Sequence, residues 1–132
     1  DQNIASRQAN FERQCKFFDN YPDYFSNPQE THGCNTAWLA FPILIKEGTP
    51  FTRKEFQIFL EKRNIQTRVV FTGNILRQPM CQNISKRVLE EGYPNADRVM
   101  ARGVLLPLHH GMTESMFSRF HATVHEFIEQ YD

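Results

Sequence analysis

Thr67-Arg68-Val69-Val70-Phe71-Thr72-Gly73-Asn74-Ile75-Leu76-Arg77-Gln78-Pro79 begins as a strand and ends as a polar loop that a core does not require. Val69, Val70 and Phe71 are β-branched or aromatic, so residues 67–71 read as a short interior strand. Gly73 and Asn74 stop it, because both tolerate the positive φ of a tight turn. Arg68, Asn74, Arg77 and Gln78 then crowd around the strand's end. Guanidinium forks and amides in that position suit a phosphate, a carboxylate or sugar hydroxyls. One charged hydrogen bond of this kind contributes about 1.5–3 kcal/mol. Each arginine can equally pair with a carboxylate or stay solvated, and the amides can hold the loop's own backbone. Phe71 reads as a core or cavity wall rather than a stacking partner.

Working outward, Ile4, Phe11, Cys15 and Phe18 recur at helical spacing and predict an amphipathic helix over 4–20. Residues 21–36, with two prolines and many small polar side chains, read as a loop. Residues 37–46 predict the first strand, at an edge or broken at Pro42, which has no ladder donor. Thr52-Arg53-Lys54-Glu55 is a capping box opening a helix over 53–63, with Phe56, Phe59 and Leu60 as its buried stripe. After the 67–71 strand and its loop, residues 81–92 carry no clear period. Asn95 predicts the cap of a short helix over 96–102, stopped by Gly103. Residues 104–108 predict a third strand with an internal proline. Thr113 caps a last helix reaching about residue 130, whose Phe117, Phe120, Val124, Phe127 and Tyr131 share one face. Helices that alternate with strands imply crossover connections. The expected fold is therefore α/β, a small three- to four-stranded sheet with helices packed mainly on one face.

The 132 residues carry 15 basic and 15 acidic side chains, so one domain without net charge is expected. No basic run marks a nucleic-acid partner. No apolar run reaches membrane-spanning length and no signal-peptide pattern opens the chain, which points to a cytoplasmic setting. Twelve Phe residues exceed what one small core requires, so part of the aromatic surface is expected to dock onto another domain or subunit.

Cys15, Cys34 and Cys81 form no C-x-x-C pair or iron–sulfur spacing and read as reduced thiols. His121 and His125 lie four apart on a helix, a spacing that suits two metal ligands, and His32 or Cys34 could join them. Without a zinc signature around them, no metal site is assigned. His109 and His110 occupy a strand-to-helix loop, a rim position. Lys16, Lys46, Lys54, Lys62 and Lys86 fall at exposed or boundary positions, and none reads as a desolvated Schiff-base lysine.

The 67–79 stretch, with Ala37-Trp38-Leu39-Ala40-Phe41-Pro42-Ile43 before it and Asn95-Ala96-Asp97-Arg98-Val99-Met100 after it, resembles the C-terminal part of one enzyme family. That family is the DegT/DnrJ/EryC1/StrS type of fold-type I, pyridoxal-phosphate enzymes acting on nucleotide-linked keto sugars. The pattern T-R-x-x-F-x-G-N-x-x-R-Q-P looks most like its hexulose 3-dehydrase branch, and the resemblance runs from about residue 37 to residue 128.

The resemblance implies one small domain over 1–132, with residues 1–20 as an interdomain helix and 37–132 as the α/β body. The large cofactor domain, with the catalytic lysine or histidine and the phosphate cup, would lie outside the chain. Arg68, Phe71, Asn74, Arg77 and Gln78 would face a nucleotide-linked keto-deoxysugar, while catalytic residues would be absent. Pyridoxal or pyridoxamine phosphate would belong to the intact parent, as would any iron–sulfur cluster, and the parent would be a homodimer. A sugar aminotransferase is the alternative within the family. A free-standing α/β ligand-binding or interaction module is the alternative outside it.

Overall fold

The computed structural model describes residues 1–131. In chain order its elements are α1 (Gln2–Phe18), β1 (Phe25–Ser26), β2 (Phe41–Ile45), α2 (Arg53–Glu61), β3 (Arg68–Val69), α3 (Pro94–Arg102), β4 (Gly103–Leu106) and α4 (Glu114–Ile128). The four strands form one antiparallel sheet in the order β1-β2-β4-β3. β2 and β3 flank β4 and are both antiparallel to it, so they run parallel to one another. α2 is therefore the crossover that carries the chain past β4.

Local chemistry explains where the helices begin. The Thr52 side chain accepts from the Glu55 N–H at 3.2 Å, while the Glu55 carboxylate accepts from the Thr52 N–H at 2.7 Å, closing the capping box. Thr113 caps α4 through the Met116 N–H. Asn95 does not cap α3. Pro94 occupies its first turn and Tyr93 the cap position, because a proline's fixed φ and missing donor cost nothing at that point of a helix.

β2 lies inside the sheet, yet its Pro42 half has a free flank. The Lys46 N–H donates to the Tyr24 carbonyl on the β1 side. By strand alternation the Pro42 nitrogen points the same way, beyond Ser26 where β1 has ended, and no ladder bond is lost. β1 itself falls in the expected 21–36 loop. β4 stops at Leu106, leaving Pro107 just outside it.

Phe41, Ile43 and Ile45 of β2 and Val104 and Leu106 of β4 alternate onto one sheet face. Phe18 of α1, Phe56 and Leu60 of α2, and Phe120, Val124, Phe127 and Ile128 of α4 cover that face in one cluster, each no more than 2% exposed. The rings interlock edge to face, as Phe51 does on Phe127 (centroids 4.8 Å apart, planes at 77°) and Phe18 on Phe25 (5.1 Å, 72°). Most of the phenylalanines thus have a core role within the chain itself.

α1 is tied to α4 by polar contacts as well. Arg13 forks onto Glu114 at 2.5 and 2.8 Å, and His121 bonds the Oε1 of the buried Gln14 at 2.8 Å while stacking on Phe17 at 3.9 Å. α3 contributes nothing to the buried cluster.

The larger correction concerns β3. It is two residues long, exposed on both, and lies at the sheet's edge rather than in its interior. Phe71 is outside it, 85% exposed, and joins no core.

Candidate functional site

Past β3 the chain makes two left-handed steps within three residues, Phe71 at φ 48° and Gly73 at φ 63°. Asn74 has φ −85°, so the positive-φ pair is Phe71 and Gly73 rather than Gly73 and Asn74. A bulky residue in this region is strained by about 1–3 kcal/mol, and here no burial of the ring compensates it. Gly73 is required sterically too. A Cβ on it would sit 2.3 Å from the Cβ of Met100 on α3, so the turn rests directly on that helix.

Asn74 then starts a 3-10 turn (Ile75–Arg77) by accepting the Leu76 N–H at 3.0 Å. Its Nδ2 donates to Asp97 Oδ1 at 2.8 Å. Arg77 forks onto the same carboxylate, Nε to Oδ1 at 3.0 Å and Nη2 to Oδ2 at 2.8 Å. The Gln78 amide closes the turn by donating to the Thr72 carbonyl at 3.0 Å.

Asp97 is therefore the hub of the loop. Arg77 foremost, then Asn74, holds its carboxyl well below the usual range, at about 2. The carboxylate lies in the first turn of α3, where the helix dipole also favours negative charge. Sequence reasoning did not single out Asp97. Its signal was present, an acid in a first helical turn two dozen residues from a paired arginine and asparagine, but only tertiary contact reveals the partnership.

The five candidate residues are not brought together. Phe71 and Gln78 line a cavity of about 320 Å³ with Arg53, Val69 and Met100. Arg68 lines a different cavity of about 440 Å³, next to Arg119 and the end of β4. Arg77 lines neither, being committed to Asp97.

The two histidines of α4 are tied to neighbours within the fold. His121 is held neutral, near 4, foremost by burial and then by Arg13 nearby. His125 bonds the Tyr21 hydroxyl at 2.9 Å and lies 3.3 Å from Glu129. No cluster of three metal-ligating side chains occurs among the described residues. Burial raises the Cys15 thiol to about 11, which leaves it inert.

No lysine of this chain is placed to hold a pyridoxal-type cofactor as a Schiff base. All five lysines are exposed, and none lines either cavity. Among the described residues no helix is long and apolar enough to cross a membrane.

The chain belongs to the DegT/DnrJ/EryC1/StrS aminotransferase family, which matches residues 1–125. It is 32% identical over 110 residues to the lipopolysaccharide biosynthesis protein RfbH of Salmonella typhimurium, covering 83% of this chain and 25% of that protein. It is 33% identical over 101 residues to the dTDP-4-dehydro-2,6-dideoxy-D-glucose 3-dehydratase of Saccharopolyspora spinosa, covering 76% and 22%. The chain thus spans about a quarter of the length of these relatives, in their C-terminal portion.

Its fold superposes on a solved structure of an E. coli GDP-4-keto-6-deoxy-D-mannose-3-dehydratase with bound hydrated PLP. The TM-score is 0.77 at 23% identity, over 92% of this chain and 30% of the other. The α/β architecture read from the sequence is that of these proteins.

Proposed function

We propose that the chain is the small, cleft-closing domain of a pyridoxal- or pyridoxamine-phosphate-dependent nucleotide-sugar 3-dehydrase of deoxysugar and lipopolysaccharide O-antigen biosynthesis. On this reading it contributes substrate contacts and is inactive by itself. The observation that carries the proposal is a polar turn clasped on Asp97, in a chain about a third identical to a named 3-dehydratase. A turn held by three side-chain hydrogen bonds to one carboxylate keeps a fixed shape without a core beneath it.

Within that turn the roles divide. Asn74, 5% exposed, spends its carbonyl on Leu76 and its amide on Asp97, so it shapes the turn. Arg77 and Gln78 face substrate with the donors and acceptor their clasp leaves over, Phe71 offers an exposed ring to a sugar face, and Arg68 holds an anion at the sheet's edge. The cofactor supplies the carbonyl chemistry from a large domain outside these 132 residues. Any iron–sulfur cluster would be ligated there as well. The parent is a cytoplasmic homodimer.

The family's aminotransferase members support a second reading, the same domain of a sugar aminotransferase. The two differ in the catalytic residue of the large domain, histidine or lysine.

The experiment grafts this chain in place of the corresponding C-terminal segment of the Salmonella relative. Turnover is then assayed with nucleotide-linked 4-keto-6-deoxy sugars, separating 3-dehydration from amino transfer. Dehydration within about a hundredfold of the parent is expected, the loss that small misplacements cause. A folded, cofactor-loaded chimera that dehydrates none of these sugars would overturn the reading.

A further inference from the structure

The larger cavity is unused by the role assigned to the turn. Arg68 enters it from β3 and Arg119 from α4, over an apolar floor that includes Leu39, Leu105, Met112 and Met116. Leu39 is 76% and Met116 49% exposed, so the floor is open to a visitor. No Asp or Glu lines the cavity. The Arg68 guanidinium has no hydrogen-bond or ion-pair partner among the described residues, and Arg119 commits only Nη2, to the Arg63 carbonyl at 2.6 Å. His109, also on the wall, accepts the Gly111 N–H on Nδ1 at 3.2 Å, which leaves its Nε2–H as a further donor.

Two guanidinium groups on one apolar cavity repel each other until an anion sits between them. Elsewhere in the molecule Arg13, Arg63 and Arg102 each meet a glutamate, and Arg77 meets an aspartate. At this cavity two exposed arginines share a lining that has no carboxylate on it. A volume of about 440 Å³ holds a small ring as well as the anion.

We propose that this cavity is a binding site for a phosphomonoester carrying a small apolar or ring-shaped body. The phosphate is held between Arg68 and Arg119 with His109 at its rim, and the body lies on the Leu39–Met116 floor. A phosphate dianion matches two forks better than a single carboxylate does. The site uses only residues of this chain, and it rests on the proposed function only in the anion already given to Arg68 there.

The single tryptophan reports on it. Trp38 stacks on Phe11 at 4.5 Å and is the chain neighbour of Leu39. Its fluorescence is followed while the chain is titrated with phenyl phosphate, inorganic phosphate, benzoate and neutral phenyl glucoside. Phenyl phosphate is expected to bind at least about tenfold more tightly than the other three, and Arg68→Gln and Arg119→Gln each to weaken it about tenfold. Arg68→Lys should recover part of that loss, because charge remains without the fork.

Inorganic phosphate binding as tightly as the ester would mean an adventitious ion only, and would overturn the proposal. So would an Arg68→Gln/Arg119→Gln double variant that binds like the wild type, or a cooperatively melting chain that binds none of the four. Where the isolated chain does not melt cooperatively, the same titration is made on the Salmonella chimera. There, turnover without phenyl phosphate binding separates failure of this site from failure of the dehydrase reading.

Discussion

The aromatic layer beneath the sheet and the segment after β3 are held by opposite means. In the layer, Phe18, Phe41, Phe56 and Phe127 are at most 2% exposed and support one another ring against ring. After β3 the pattern inverts. Phe71 is 85% exposed, Met80 74%, Ile75 55% and Ile84 54%, and one carboxylate, Asp97, fixes the turn. Burial makes the first region stable without reference to anything outside the chain. The second region is shaped by solvent-accessible hydrogen bonds and displays the apolar side chains that burial would normally remove. A region of that kind is suited to contact with something else, at the modest local stability typical of binding loops.

The strongest break in this contrast is Phe56→Ala. Phe56 is fully buried, so its truncation is expected to cost about 3–5 kcal/mol, read as a large fall in melting temperature, with the 73–78 turn unchanged in the folded fraction. Gly73→Ala comes next. The left-handed φ and the approach to Met100 predict about 1–3 kcal/mol of strain, with amide exchange rising in the turn before it rises in α4. Exchange spreading equally through both regions would show that they are not separate.

Acid should part the two regions by pH. His121 resists protonation in the folded chain down to about 4 against an ordinary 6.5, so the unfolded chain binds its proton first. Stability therefore falls as pH drops from 6.5 to 4, and His121→Gln should flatten that limb. Asp97 resists protonation to about 2 against 3.8, so the small, solvent-screened stability it contributes is present above 3.8 and lost toward pH 2. Asp97→Asn should remove that lower limb alone. Smallest in global effect, Asp97→Asn at neutral pH should leave the melting temperature nearly unchanged while the Leu76 N–H, bonded to Asn74, exchanges faster.

What the sequence disclosed follows the same division. α2 and α4 were legible because a capping box and a helical stripe are local signals, and every buried residue of α4 except Thr123 and Ile128 lay on the predicted stripe. β1 was not legible, since a two-residue strand exists only through its partner β2. Residues 69–71 looked interior because β-branched and aromatic side chains suit buried strands. Tertiary context instead left Val69 at an edge and turned Phe71 outward. Arg77, Asn74 and Gln78 were recognised as a polar group, but their common tie was invisible until α3 brought Asp97 across 20 residues. Arg68 was grouped with them by proximity in sequence, whereas the fold places it on another cavity.

The most direct test of the account is the kinetics of the Salmonella chimera carrying Asp97→Asn. A turn that Asp97 positions against substrate predicts a raised KM for the nucleotide sugar, with kcat less affected and the melting temperature nearly that of the unsubstituted chimera. An unchanged KM, or a collapse of the melting temperature, would contradict it and reduce the turn to a structural bend.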